Sequence, residues 1–111
     1  MKIVVSDAVL IKVNHKHQVS VKELEECFLN RLGGLLLDTR EEHKTEPETL
    51  WFVAATNKNR VLKIIYISDG KSIYLKSAYQ ASPDIIRIYE KYAFWNYMEI
   101  EKWRNLKNIQ M

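Results

Sequence analysis

Apolar positions along the chain follow two periods, one helical and one alternating, and the change between them divides the molecule. Residues 1–5 form a short apolar run that predicts a strand. Ser6 or Asp7 then caps a first helix running to about residue 17, with Val9, Leu10, Val13 and His17 along one side. A second helix is predicted over 21–32, where Val21, Leu24, Phe28 and Leu32 recur at helical spacing. Its start is sharply defined. Ser20 is a good N-cap and Glu23 falls at the third helical position, so the two form a capping box, and Val19 and Leu24 can close a hydrophobic staple over it. Gly33-Gly34 supplies the expected stop. Leu35-Leu36-Leu37 reads as a short strand, and the polar stretch 38–49, which contains Pro47, as a loop.

Alternation takes over in the second half. Strands are predicted over 50–56, 60–67 and 72–79, separated by Asn57-Lys58-Asn59 and by Asp69-Gly70, a strong hairpin signal. Ser82-Pro83 opens a last helix with Ser as cap and Pro at the first position. Ile85, Ile88, Tyr89 and Tyr92 give that helix an apolar face, and the pattern continues through Phe94, Trp95, Met98, Trp103 and Leu106, as the same helix or a second one. The elements define an α+β fold: a small antiparallel sheet with two N-terminal helices and a C-terminal helix packed against it. The domain is expected over 1–92, with 93–111 as an aromatic helical extension.

A two-residue Asp69-Gly70 loop would set Ser68 opposite Lys71, and hence Lys63 opposite Lys76, Ile65 opposite Tyr74 and Arg60 opposite Tyr79. Leu62, Ile64, Tyr66, Ile73 and Leu75 then share the core face, and the lysines share the other. Opposed like charges weaken a hairpin. Two readings are open for them: solvated lysines splaying apart, or an anion held between them.

Composition narrows the class. At 111 residues, with 47% hydrophobic and 28% charged residues, the chain is an ordinary globular domain rather than a disordered one. A net charge of +3 is compatible with a polyanionic partner but too small to argue for one. Three Trp and six Tyr exceed what such a core needs, which points some of them toward stacking or an interface. The N-terminal run lacks the pattern of a signal peptide, and no apolar run approaches the roughly 20 residues of a membrane span, so a cytoplasmic protein with no membrane association is expected. Cys27 is the single cysteine and lies on the apolar side of the second helix, as a buried small hydrophobe would.

Candidate chemistry is limited to cations, histidines and tyrosines. His15 and His17 point to different sides of a helix, and with one cysteine and no His-x-x-x-His no metal site is expected; neither is a cofactor, since no Gly-rich phosphate loop is present. RNA cleavage without a metal needs a group to deprotonate the 2′-hydroxyl, one to protonate the leaving oxygen, and cations on the phosphate. His43 suits base or acid, Arg40 and Arg60 suit the phosphate, and Tyr79 suits donation or stacking, with Lys16, His17, Lys63 and Lys76 as further substrate-binding groups. Each has a plainer alternative: a salt bridge for Arg40, a turn flank for Arg60, a helix C-cap for His17.

Several short motifs resemble those of the BrnT-like toxins, small bacterial ribonucleases of the RelE-type fold. Lys16-His17-Gln18-Val19-Ser20 is similar to that family's Lys-His-Gly-Val-Ser. Arg60-Val61-Leu62 is similar to its Arg-x-Leu strand start, Ser77-Ala78-Tyr79-Gln80-Ala81 to its Ser-Ala-Arg-x-Ala strand end, and Tyr89 to the tyrosine of its closing helix. The similarity spans about residues 1–92. Gln18 stands for Gly and Tyr79 for Arg, the latter removing one cation. The resemblance implies an endoribonuclease of a type II toxin-antitoxin pair, with RNA as substrate and a small DNA-binding antitoxin as partner. A non-catalytic interaction module on the same fold, using the aromatic C-terminal segment to bind a protein or a second copy, is the alternative. The chain is also similar to short bacterial proteins labelled ADP-ribosyl-(dinitrogen reductase) hydrolase. Genuine ADP-ribosylhydrolases, however, are larger all-helical domains with a carboxylate-built two-metal site, whereas the acids here are scattered.

Overall fold

A computed structural model describes residues 2–40 and 45–94. In chain order it consists of β1 (Lys2–Val4), α1 (Asp7–Ile11) continued by a π-helical turn (Lys12–Lys16), α2 (Val21–Asn30), β2 (Leu36–Leu37), β3 (Thr49–Ala55), β4 (Val61–Ser68), β5 (Ser72–Gln80) and α3 (Pro83–Ala93). The strands form one five-stranded sheet in the order β1-β5-β4-β3-β2, with β1 parallel to β5 and the other pairs antiparallel. The α+β class expected from the pattern is thus the observed one. His43 and the aromatic segment from Trp95 onward lie outside the described residues.

The helix starts are where the sequence puts them, because each has a side chain to satisfy its first free amides. Ser6 Oγ accepts from Val9 N at 3.3 Å, and Ser82 Oγ from Ile85 N at 3.2 Å with Pro83 as the first residue of α3. At α2 the capping box closes in both directions. Ser20 Oγ accepts from Glu23 N at 3.1 Å, and Glu23 Oε1 accepts from Ser20 N at 3.0 Å.

The end of α2 is a correction. The helix stops at Asn30, and Arg31 already has extended ψ of 128°. Asn30 Nδ2 donates to Ala55 O and Asn57 Oδ1, both at 2.9 Å, so the last helical side chain is tied to the β3–β4 turn. Gly33 and Gly34 serve a different purpose from the expected stop. A Cβ on Gly33 would sit 2.7 Å from the Tyr89 hydroxyl oxygen, and one on Gly34 would sit 3.3 Å from Ala93 O. The glycines let α3 approach. Tyr89 then donates its hydroxyl to Gly34 O at 2.7 Å, and Gly34 N donates to Ala93 O at 2.6 Å.

The β4–β5 register is the second correction. Ser68 pairs with Ile73, not Lys71. The Asp69 carboxylate accepts from Lys71 N at 2.9 Å, Ser72 N at 2.8 Å and the Tyr74 hydroxyl at 2.9 Å, building a wider turn than a two-residue loop allows. A bulge follows: Tyr66 pairs with Leu75 but Ile65 with Ser77, leaving Lys76 as the extra residue. Lys63 therefore faces Tyr79, and the Lys63–Lys76 and Arg60–Tyr79 pairings do not form. The core face is unaffected. Leu62, Ile64, Tyr66, Ile73 and Leu75 are all buried.

Alternation gives the sheet two unlike faces. On one, Phe52, Ala54, Leu62, Ile64 and Tyr66 meet α2, with Phe28 edge-on to Phe52 and Tyr66 at 5.0 and 5.3 Å between ring centroids. Leu24 and Cys27 are fully buried there, and Cys27 Sγ lies 3.6 Å from Ala54 O. Burial, then Glu23 and Glu26, push its thiol up to about 12, which suits a packing residue and not a nucleophile. On the other face, α3 covers the β2–β3 end through Tyr89, whose ring lies 5.8 Å from that of Trp51.

Candidate functional site

The second face carries the polar chemistry of the molecule. Cross-strand pairing places Val53, Lys63 and Tyr79 in one row across β3, β4 and β5. Lys63 comes from the middle strand and is only 7% exposed. Its ammonium lies 4.5 Å from the centroid of the Trp51 ring and 5.9 Å from that of Tyr79. Among the described residues it has neither a hydrogen-bond acceptor nor a carboxylate within ion-pair distance. Aromatic faces attract a cation, but they do not replace the hydrogen bonds an ammonium makes in water. Burial holds the Lys63 proton affinity below the ordinary lysine value, the Arg40 guanidinium lowers it further, and Asp38 opposes the shift.

Asp38 follows β2 and is buried, while Arg40 is largely exposed at the surface. The Asp38 carboxylate takes Arg40 Nε at 3.0 Å, Arg40 Nη2 at 2.8 Å and the Arg40 backbone N–H at 3.2 Å. The salt-bridge alternative for Arg40 is therefore realised, in a bidentate form that fixes the guanidinium beside the cleft. That cleft, of about 550 Å3, lies between the segment 35–40 and α3, with Trp51 and Lys63 from the sheet beneath it.

At the other end of the row, the His17 ring is 5.5 Å from that of Tyr79, tilted by 46°. His17 ends the π-helical turn, its backbone N–H donating to Lys12 O at 3.3 Å. Partial desolvation, with Lys16 and Lys12 nearby, holds its imidazole below the ordinary histidine value. The shift favours the neutral imidazole.

Arg60 is placed elsewhere. Its Nη2 donates to His17 O at 2.9 Å, and its Nη1 donates to Gln18 O at 2.6 Å and lies 3.3 Å from both Glu23 carboxylate oxygens. The guanidinium clasps the loop between the first two helices onto the start of β4. In that loop Gln18 takes the left-handed φ of 53°, a conformation that glycine adopts with least strain. The motif position where the resemblance has Gly is thus a position whose backbone calls for one.

The structure therefore brings together His17, Tyr79, Lys63 and Arg40 along one face. It does not bring in Arg60, which acts through the backbone. Lys16 is exposed beyond the end of the row, and Lys76 is exposed at the bulge, where its carbonyl accepts from Lys12 Nζ at 2.9 Å. Trp51 and Asp38 are the site residues that sequence reasoning missed. The i, i+2 spacing of Asp38 and Arg40 was visible, but nothing in the sequence sets Trp51 diagonally beside Lys63 before the β3–β4 register is known. Among the described residues no three His, Cys, Asp or Glu side chains converge as metal ligands would, and no helix is long and apolar enough to cross a membrane.

Fold and site together define an α+β domain with α2 packed on one apolar sheet face and α3 covering part of the other, which carries the cationic and aromatic groups. No known protein family and no curated protein matches the chain when the sequences are compared.

Proposed function

We propose that this domain is a metal-independent endoribonuclease of the toxin type, with its working groups on the second sheet face. The observation that carries the reading is the row His17–Tyr79–Lys63: an imidazole and the ammonium of a buried lysine on either side of a single phenol ring. Arg40 lies close enough to perturb that ammonium.

Transesterification of RNA uses such groups. His17 takes the proton of a 2′-hydroxyl as its oxygen attacks the adjacent phosphorus. Lys63 and Arg40 offset the negative charge gathering on the phosphoryl oxygens. The P–O5′ bond breaks as the new O2′–P bond forms, and the lysine ammonium, its proton affinity lowered, supplies the proton to the departing 5′-oxygen. The products are a 2′,3′-cyclic phosphate and a 5′-hydroxyl end. Tyr79 offers a flat ring for base stacking, and Arg60 positions the loop that presents His17. This reading assigns the base to His17, which among the described residues is the histidine in contact with the row, in place of the expected His43, which lies outside them. The motif resemblance supplies the partner, a small DNA-binding antitoxin covering the same face.

The pH profile of cleavage tests the assignment of the base. Because the His17 affinity for a proton is lowered, the acid limb is expected below the ordinary histidine value of about 6.5. His17→Ala should remove that limb together with at least about a hundredfold of the rate, in line with a lost general base. An unchanged profile in His17→Ala would transfer the role to another group.

A further inference from the structure

The cleft beside Lys63 has a chemistry that RNA binding does not use. Its walls are mainly apolar, with Leu36 on one side and Ile85, Ile88 and exposed Tyr92 of α3 on the other, while Asp38, Thr39 and Arg40 form a polar edge. At its base is a lysine whose ammonium lies over two aromatic rings and makes no hydrogen bond or ion pair among the described residues. The Asp38 carboxylate, which also lines the cleft, holds Arg40 through both its oxygens. An ammonium removed from water without an acceptor is a costly arrangement, and the remedy is an anion. The anion must reach the end of a lysine that is buried as a residue, past mainly aliphatic walls, so its charge must sit at the end of an apolar body. A polyphosphate or an acidic peptide chain, polar along its length, does not match those walls. The cleft volume of about 550 Å3 falls within the usual range for small-ligand sites.

We propose that the cleft binds a small amphipathic carboxylate, its carboxylate on Lys63 and its hydrocarbon body between β2 and α3. The site stands whether or not the domain cleaves RNA. Where both readings hold, such a ligand competes with the phosphate for Lys63.

Octanoate is the probe, with octanol and inorganic phosphate as controls, added to the full chain and followed by amide and lysine Cε NMR. Octanoate should shift the signals of Trp51, Lys63, Ile85 and Ile88 at saturation, binding about tenfold more tightly than octanol, the scale of one charge-assisted hydrogen bond. The Lys63 titration midpoint should rise in its presence. Lys63→Met should abolish the preference for octanoate over octanol. Ile88→Asp is a second variant at an exposed wall position, chosen to leave the fold intact, and should weaken octanoate by about tenfold through repulsion. Equal affinity for octanoate and octanol, phosphate binding as tight as octanoate, an acidic peptide displacing it at matched concentration, or shifts outside the cleft would each overturn the proposal. Because none of these readouts involves RNA, failure here leaves the cleavage assay to decide the ribonuclease reading separately.

Discussion

The two faces of the sheet are made by alternate residues of the same strands, yet they differ in nearly every physical respect. Phe52, Ile64 and Tyr66 point to α2 and are buried among aromatic edges and aliphatic side chains. One residue along, Trp51, Lys63 and Tyr79 point the other way, and the Lys63 ammonium has, among the described residues, rings but no carboxylate at ion-pair distance. Core packing extends to both faces, since Val53, Ile65 and Tyr89 are buried on the second, and it is this packing that offsets the cost of a buried ammonium without an ion-pair partner among the described residues. Lys63 has aromatic rings around its ammonium but, among the described residues, no hydrogen-bond acceptor, and the proposed functions rest on that arrangement.

Substitutions on the two faces should therefore behave in opposite ways. Phe52→Ala, on the packed face, is expected to destabilise by about 3–5 kcal/mol in urea unfolding, the range for a fully buried aromatic. Retention of near-native stability would mean that the face is less tightly packed than its ring geometry indicates.

Arg60→Met probes the link between the faces. It removes the hydrogen bonds to His17 O and Gln18 O and the ion pair with Glu23, and should cost about 1–3 kcal/mol. Cleavage by the fraction that stays folded should fall too, because the loop that carries His17 is released. Unchanged cleavage would separate the loop from the site.

A pH scan sharpens the comparison further. The folded-state proton affinity of Lys63 is lowered, so between that value and the ordinary lysine value near 10.4 the unfolded chain binds more protons than the folded one. Stability from this group must then rise with pH across that window. The penalty is fully present below the folded value and relieved above it. Lys63→Met, which has no charge to bury, should be more stable than wild type at neutral pH, with the gap narrowing as the solution turns alkaline. A gap independent of pH would show that Lys63 is not the source.

The smallest expected effect is at Gln18. Its φ of 53° strains a side-chain-bearing residue, and Gln18→Gly should stabilise by about 0.5–1 kcal/mol in the same unfolding assay. A loss of stability would mean that the Gln18 side chain contributes contacts that outweigh the strain.

Local rules carried the sequence a long way in this chain. Ser6, Ser20 with Glu23, and Ser82 with Pro83 start their helices where capping chemistry requires, since a cap is settled by residues within one turn. The alternation of β4 and β5 placed Leu62, Ile64, Tyr66, Ile73 and Leu75 on one buried face correctly, though the burial of Ile65 and Lys63 on the other face was not legible. What could not be read was pairing at a distance. Asp69 side-chain acceptance of two backbone amides widened the hairpin, and the bulge at Lys76 shifted the register again, so the expected lysine pair became Lys63 with Tyr79. Arg60 looked like a phosphate ligand because nothing in the sequence shows that two carbonyls from the 17–20 loop converge on it. The glycines after α2 misled for a related reason: the partner that needs their missing side chains is Tyr89, far along the chain.

The most direct test joins stability to activity in one variant. Wild type and Lys63→Met are incubated at equal folded concentration with a short RNA, and the new ends are identified. The expected result is a 2′,3′-cyclic phosphate from wild type, and at least a hundredfold less from a variant that unfolds at the same urea concentration or higher, about the weight of one phosphate-stabilising group. Cleavage by Lys63→Met at the wild-type rate, or intact RNA with wild type, would contradict the assignment of chemistry to this face.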